Sequence, residues 1–218
     1  MYYELTGSGQ PLVLIGGLGV DVSECGALID VLAARYRVLA FDNRGAGRTD
    51  MPDAPYTVAQ MAQDTAGLMR ALGVERAHVV GISLGGRIAL ELALADPNLV
   101  RSLVLASTCA RVERRWPSRL LGLVSRVFRG RYPQPRYAFR HQREASDGYD
   151  RTEALPDLHV PTLVVHGRRD RIVPYRLAED LAAGIPDARL VTVDSGHLYP
   201  LTHSSAFVEA VAEFTEGV

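Results

Sequence analysis

The segment with the clearest chemical meaning is Gly81-Ile82-Ser83-Leu84-Gly85, which follows an apolar run and precedes a stretch of helix-forming residues. A chain that turns sharply from a strand into a helix pushes the central side chain forward, and the flanking glycines leave room for it. Backbone N–H groups at the start of that helix lack intrahelical partners and can bind developing negative charge. The pattern predicts that Ser83 is a nucleophile. The alternative interpretation is a structural Gly/Ser turn.

A serine nucleophile needs a base within hydrogen-bond reach and an acid that orients the base. Two loops that follow apolar runs late in the chain supply Asp170 and His197. Each lies just past the predicted carboxyl end of a strand, where an open α/β sheet gathers its site residues. We therefore predict that Ser83, Asp170 and His197 form a triad. Two alternatives stay open: Asp194 as the acid, and Asp170 as a surface turn residue paired with neighbouring arginines.

The oxyanion of an acyl-transfer intermediate needs two N–H donors, one after the nucleophile and one from an early glycine loop. We assign these donors to Leu84 and to Leu18, which lies in the segment Gly16-Gly17-Leu18-Gly19. Removal of one such donor typically raises the barrier by about 3 kcal/mol. The same glycines could belong to a dinucleotide-binding fingerprint, but Val22 occupies the place of its third glycine, so that interpretation is weak.

The elements that must position these residues follow from hydrophobic patterning, because continuous apolar runs indicate buried strands and amphipathic periods indicate helices. The predicted strands are Tyr2–Leu5, Pro11–Ile15, Arg37–Phe41, Ala77–Ile82, Val100–Ala106, Thr162–His166 and Arg189–Val193. The predicted helices run from about Ser23 to Ala34, Thr57 to Leu72, Leu84 to Ala95, Arg176 to Ala183 and Ser205 to Glu216. This alternation predicts an α/β fold with a mostly parallel, doubly wound sheet of about seven strands.

The alternation breaks between residues 110 and 157, where no buried strand is predicted. One helical face there is formed by Leu120, Leu121, Val124, Val127 and Phe128. We expect a single domain over residues 1–218, with a reduced helical lid or cap inserted over 110–157. All 24 basic residues are arginines, and ten of them lie between positions 110 and 144, against two acidic residues. These arginines form either the solvated face of a lid helix or an attractive surface for an anionic or carrier-bound substrate.

Composition narrows the classes of function further. The formal net charge of −1 gives no bias toward nucleic acid or anionic membranes. Cys25 and Cys109 match no metal spacing and no disulfide framework, which suits a reducing cytosol. No apolar run approaches the length of a membrane span, and no signal-peptide pattern opens the chain. We expect a cytoplasmic protein with a small-molecule substrate, no nucleic-acid partner, no metal and no organic cofactor, in an oligomeric state that the sequence leaves open.

Together these motifs resemble the α/β-hydrolase superfamily, in its short single-domain branch of serine esterases and lactonases. Phe41–Asp50 is similar to the family segment Asp-x-Arg-Gly-x-Gly-x-Ser, and Pro161–Gly167 resembles its strand before the acid. The resemblance implies the same triad and oxyanion donors. One departure concerns Gly16, which stands where such proteins usually have a histidine that buttresses the oxyanion loop.

The resemblance implies a serine hydrolase that cleaves a carboxylic ester, thioester or lactone through an acyl-enzyme. Two enzymatic alternatives are a triad-bearing lyase or cyclase and a hydrolase of carbon–carbon bonds, and a third is a non-catalytic ligand-binding protein. The residues expected to contact substrate are Gly17, Trp116, Leu120, Phe128 and Tyr199, with Cys25 and Met51 as further candidates.

Overall fold

The computed structural model describes residues 1–113 and 131–218. The strands are β1 (Tyr3–Thr6), β2 (Gln10–Ile15), β3 (Tyr36–Phe41), β4 (Ala77–Ile82), β5 (Val100–Ala106), β6 (Thr162–Gly167) and β7 (Arg189–Val193). The helices are α1 (Gly26–Ala33), α2 (Val58–Ala71), α3 (Leu84–Ala95), α4 (Arg136–Asp147), α5 (Tyr175–Gly184), α6 (Tyr199–Thr202) and α7 (Ser204–Thr215). Short 3-10 turns lie at Val22–Cys25, Pro97–Leu99 and Thr152–Asp157.

The seven strands form one sheet in the order β1-β3-β2-β4-β5-β6-β7. β1 pairs with β3 in the antiparallel direction, and every other pair is parallel. The predicted α/β fold with a mostly parallel sheet is confirmed. Its first strand begins one residue later than predicted, at Tyr3. The order places the carboxyl ends of β2, β4, β6 and β7 along one edge of the sheet.

Helices cover both faces of this sheet. One face packs against α2, α3 and α5 through residues such as Met61, Ile88 and Leu181. The other face packs against α1 and α7 through Leu28 and Phe207. Because successive residues of a strand point to opposite faces, a strand covered on both sides needs apolar residues at every position. This is why the inner strands form continuous apolar runs in the sequence.

The segment between β5 and β6 leaves the sheet and returns beside its own start. Val112 donates its N–H to Tyr149 O at 3.1 Å, and Arg151 donates to Ala110 O at 2.9 Å. These bonds join the two ends of the segment at the carboxyl edge of the sheet. The apolar helical face predicted over residues 120–128 lies outside the described residues, so the role of 110–157 as a lid stays a prediction.

The helix α4 within that segment was not predicted from the sequence. Its buried positions include Ala138, His141 and Gln142, and two of these three side chains are polar. His141 Nε2 lies 2.8 Å from Asp53 Oδ1 in the loop that precedes α2. This face carries few apolar side chains, so a search for apolar residues at helical spacing does not indicate α4, although its charged residues gather on the exposed side.

His78 of β4 lies buried in the middle of the sheet. Its Nδ1 is 2.7 Å from Ser102 Oγ on β5, and its Nε2 is 2.8 Å from Gln10 Oε1 on β2. Burial, together with a smaller effect of the Arg101 charge, lowers the pKa of His78 to about 4. A protonated imidazole is therefore disfavoured in the folded chain.

We expect the free energy of unfolding to fall as the pH drops from about 6.5 to about 4. In that window the unfolded chain protonates His78 and the folded chain does not, so acid favours unfolding, by on the order of 3 kcal/mol for this residue. The measurement is urea denaturation at several pH values on the wild type and on His78→Gln. The variant should show a shallower pH dependence, and identical slopes for the two proteins would contradict the assignment.

Candidate active site

Ser83 occupies the turn between β4 and α3 with φ 56° and ψ −114°. A positive φ is strained for a non-glycine residue, at a cost of about 1–3 kcal/mol. A Cβ on Gly81 would overlap the backbone of Gly85, and a Cβ on Gly85 would overlap the backbone of Ile15. Gly81 is therefore required by the close approach of β4 to the start of α3, and Gly85 by the packing of α3 against the end of β2. The turn holds the Ser83 hydroxyl at the carboxyl edge of the sheet.

The structure brings the three predicted side chains together. His197 Nε2 lies 3.0 Å from Ser83 Oγ, and His197 Nδ1 lies 2.8 Å from Asp170 Oδ2. The carboxylate is fully buried, and the imidazole is 10% exposed. Both distances are within the range for hydrogen bonds, so a proton can pass from the hydroxyl to an imidazole that the carboxylate orients.

Asp170 is held by a complete set of donors. Its Oδ1 accepts the N–H groups of Ile172 and Val173 at 2.7 and 2.9 Å. Its Oδ2 lies 3.2 Å from His166 Nε2, besides its contact with His197. Burial alone would raise the pKa of Asp170, but the hydrogen bonds from both histidines and from the Val173 backbone outweigh burial and hold the pKa well below its usual range. The carboxylate is therefore ionised at neutral pH.

His166 is a positioning residue that the sequence analysis missed. Its side chain is fully buried at the end of β6, and its Nε2 lies 2.9 Å from Val173 O as well as 3.2 Å from the carboxylate. Because both neighbours are acceptors, Nε2 carries the proton and fixes the loop that presents Asp170. The signal in the sequence was a histidine at the end of a buried strand, four residues before the acid.

Asp194, the alternative acid, has a different environment. Its Oδ1 lies 3.0 Å from Arg169 Nε, and the side chains of the pair are 81% and 67% exposed. The loop after β7 thus places the Asp194 carboxylate in solvent and places the His197 imidazole beside Ser83. The suggestion that arginines pair with Asp170 does not fit either, because Arg169 is bound to Asp194.

The two residues assigned as oxyanion donors lie on either side of Ser83. Leu84 is the first residue of α3, so its N–H lacks an intrahelical partner. Leu18 follows β2 and lines the cavity beside Ser83 and His197. A Cβ on Gly17 would lie 3.5 Å from Ser83 Cβ, so the glycine loop is in close contact with the turn.

Polar side chains hold this loop where the family usually has a histidine. Asn43, which is 1% exposed, donates its Nδ2 to Gly16 O at 3.0 Å. The Gly19 N–H donates to Gln142 Oε1 at 3.0 Å, and Gln142 Nε2 donates to Arg44 O at 2.7 Å. Asn43 thus anchors the loop at the Gly16 carbonyl, and α4 supplies the second anchor.

The lining of the cavity beside Ser83 includes some of the residues predicted to contact substrate and lacks others. Gly17 and Cys25 line it, but Tyr199 is not among the described lining residues. The Tyr199 ring packs against His203 and Phe207 instead, because α6 turns it back onto α7. Residues that line the cavity without having been predicted include Val20, Arg87, Arg143, Ile172, Leu198 and Leu201. Met51 is also outside the described lining, and Trp116, Leu120 and Phe128 lie outside the described residues.

The family follows from comparison with known proteins. The sequence profile of the alpha/beta hydrolase fold matches residues 10–135, and a profile described as TAP-like protein matches residues 140–216. The chain belongs to the α/β-hydrolase superfamily. Because its relatives are hydrolases, this α/β-hydrolase is an enzyme of that family.

Three relatives of this α/β-hydrolase are informative. A candidate carbamate hydrolase, RutD, of Azorhizobium caulinodans is 33% identical over 258 residues, covering 98% of this chain and 94% of the relative. The solved enol-lactonase of Burkholderia xenovorans LB400 has a TM-score of 0.89 and 26% identity, covering 98% and 95% of the two chains. A thermophilic esterase of Thermogutta terrifontis has a TM-score of 0.85 and 27% identity, covering 99% and 93%.

Two other kinds of site are not found in the part of the chain that the structure describes. Within residues 1–113 and 131–218, no helix has both the length and the apolar character needed to cross a membrane. In the same part of the chain, no three His, Cys, Asp or Glu side chains are grouped so that they could hold a metal ion.

Asn43→Ala should reduce kcat/KM by about tenfold or more, because the freed Gly16 carbonyl lets the oxyanion loop shift, and kcat should account for most of the loss. The measurement is steady-state kinetics on a chromogenic ester, with thermal unfolding in parallel. Tyr36→Phe is the matched control, since it removes the buried bond to Thr215 Oγ1 at the opposite edge of the sheet. An equal loss of kcat in the two variants would contradict a specific role for Asn43.

Both cysteines should resist thiol reagents in the native protein. Burial raises the pKa of Cys25 to about 12 and also raises the pKa of Cys109, so neither forms the reactive thiolate at pH 8. The measurement is colorimetric thiol titration with and without guanidinium chloride. We expect labelling of both thiols only after unfolding, and rapid labelling of native Cys25 would show that the cavity wall opens.

Proposed function

We propose that this α/β-hydrolase is a serine hydrolase that cleaves a carboxylic ester, thioester or lactone of a small molecule through an acyl-enzyme. The observation that carries the proposal is the pair of hydrogen bonds at His197: Ser83 Oγ–H donates to Nε2 at 3.0 Å, and Nδ1–H donates to Asp170 Oδ2 at 2.8 Å. The lactonase and esterase among the similar structures support this substrate class.

In the first step, Ser83 Oγ attacks the substrate carbonyl carbon while its proton passes to His197 Nε2. Asp170 accepts the Nδ1–H of the imidazolium and offsets its charge. The carbonyl electron pair moves to oxygen, where the Leu18 and Leu84 N–H groups bind it. The bond to the leaving group then breaks, the leaving oxygen or sulfur takes the proton from Nε2, and the acyl group stays on Ser83.

The second step returns the enzyme to its starting state. Water loses a proton to His197 Nε2 and attacks the acyl carbon, with the same two N–H groups around the oxyanion. Collapse of this intermediate breaks the bond to Ser83 Oγ, which recovers its proton from the imidazolium. Because Asp170 remains ionised throughout, the imidazole keeps the tautomer in which Nε2 can accept a proton.

A carbamate is a second candidate substrate, because the RutD relative is named as a candidate carbamate hydrolase. A carbamate presents the same carbonyl to Ser83 and expels its leaving group by the same sequence. Val20, Ile172 and Leu198 in the cavity wall offer an apolar surface to either acyl group.

Ser83→Ala should remove nearly all activity on chromogenic esters, thioesters and lactones, by several orders of magnitude, because nucleophile and base act as a unit. The measurements are kcat/KM across that panel and labelling by a fluorophosphonate, with the exposed Ser8→Ala as the matched control. Near wild-type turnover in Ser83→Ala would refute the assignment. Failure of the fluorophosphonate to label the active wild type would also refute the assignment of Ser83 as the nucleophile.

Water labelled with a heavy oxygen isotope separates hydrolysis from the lyase or cyclase alternative. We expect one heavy oxygen in the released carboxylate when the wild type turns over in this water. A product that contains no oxygen from water, formed at the same rate, would overturn the hydrolytic proposal and leave the Ser83 chemistry to a non-hydrolytic reaction.

A further inference from the structure

Arg87 is a buried cation that the proposed reaction does not use. It lies one helical turn after Ser83 on α3 and is 6% exposed. Its Nε is buried and has no hydrogen-bond partner among the described residues. Its Nη1 lies 3.5 Å from Cys109 Sγ, which is a weak acceptor. The guanidinium therefore keeps donor capacity that these contacts leave unsatisfied.

No carboxylate of the described chain lies within ion-pair distance of this guanidinium. Glu91, one turn further along α3, and Glu113, which lines a neighbouring cavity with Arg87, have other partners. Glu91 Oε2 lies 2.8 Å from Arg151 Nε, and Glu113 Oε1 lies 2.9 Å from an Arg111 nitrogen. Residues 114–130 contain neither Asp nor Glu, so their side chains can supply no carboxylate. Asp147, the carboxylate that shares the cavity with Arg87, is paired with Arg143. A buried charge that makes no ion pair is costly, so Arg87 points to an anion from outside the chain.

The position of Arg87 brings this charge to the proposed reaction site. Helical side chains lean toward the helix N-terminus, so a residue four positions after Ser83 points back over it. Arg87 accordingly lines the same cavity as Ser83 and His197. Arg143 of α4 lines this cavity too. Its Nε is also buried without a hydrogen-bond partner in the described part of the chain, and its ion partner Asp147 is 4.0 Å away.

We infer that Arg87 is the centre of an anion subsite that binds a carboxylate carried by the substrate, with Arg143 as a weaker second contributor. The inference rests on the proposed function and names its substrate class: a half-ester or lactone that bears a carboxylate beside its reacting carbonyl. A planar guanidinium matches a carboxylate through two parallel hydrogen bonds. One deeply buried guanidinium between apolar walls suits a single negative charge better than a doubly charged phosphate group.

The first test compares two esters that differ in one group, para-nitrophenyl hemisuccinate and para-nitrophenyl butyrate, in which a methyl replaces the carboxylate. Arg87→Gln should lower kcat/KM for the hemisuccinate by about 10- to 100-fold, the loss expected for a charge-assisted hydrogen bond, and leave the butyrate within about twofold. Arg87→Lys should lower kcat/KM for the hemisuccinate less than Arg87→Gln does, because lysine keeps the positive charge and lacks only the two parallel donors of the guanidinium. Arg37→Gln, which removes an exposed charge at the opposite edge of the sheet, is the control.

The second test measures binding without turnover. Isothermal titration of succinate should give a Kd at least tenfold weaker for Arg87→Gln than for the wild type. If the wild type hydrolyses neither ester, the proposed function fails while this titration still tests the subsite. If Arg87→Gln does not fold, Arg87→Met is titrated instead, because methionine fills the space of the apolar part of the arginine side chain and carries no charge. The inference is overturned if Arg87→Gln slows both esters by the same factor or binds succinate as the wild type does.

Discussion

The bond between His197 Nδ1 and Asp170 Oδ2, at 2.8 Å, is the constraint on which the rest of the site depends. An imidazole can face Ser83 with Nε2 free only if its other nitrogen is held by an acceptor. That acceptor must stay ionised inside the protein, and three backbone or imidazole N–H donors besides His197 keep it so. The buried carboxylate is stable because its desolvation is offset by this ring of donors.

The site is assembled from groups that are unfavourable by themselves. Ser83 adopts a positive φ, the Asp170 carboxylate is buried, and Arg87 has no carboxylate partner in the described chain. Each is tolerated because β4, β6 and α3 are anchored in an apolar core on both faces of the sheet. Local strain and buried charge at one edge of a well-packed scaffold are typical of functional sites.

The glycine loop after β2 is held by polar side chains from two other segments. Asn43, in the loop after β3, binds the carbonyl of Gly16, the position where the family usually has a histidine. Gln142 of α4 binds the same loop at Gly19, so the segment between β5 and β6 reaches the proposed reaction centre through a hydrogen bond. A change in the position of α4 would therefore move the loop that carries Leu18, one of the two predicted oxyanion donors.

The sequence by itself determined the sheet, the turn at Ser83 and the order of the three chemical residues, because apolar runs, glycines and short motifs are local signals. Apolar runs did not indicate α4, whose buried face carries His141 and Gln142, nor the support that His166 gives to Asp170. The sequence favoured Asp170 as the acid and kept Asp194 as an alternative. Only the tertiary structure separated them and showed Arg87 without a counter-ion, because pairing between charges depends on distances in space that residue spacing does not encode.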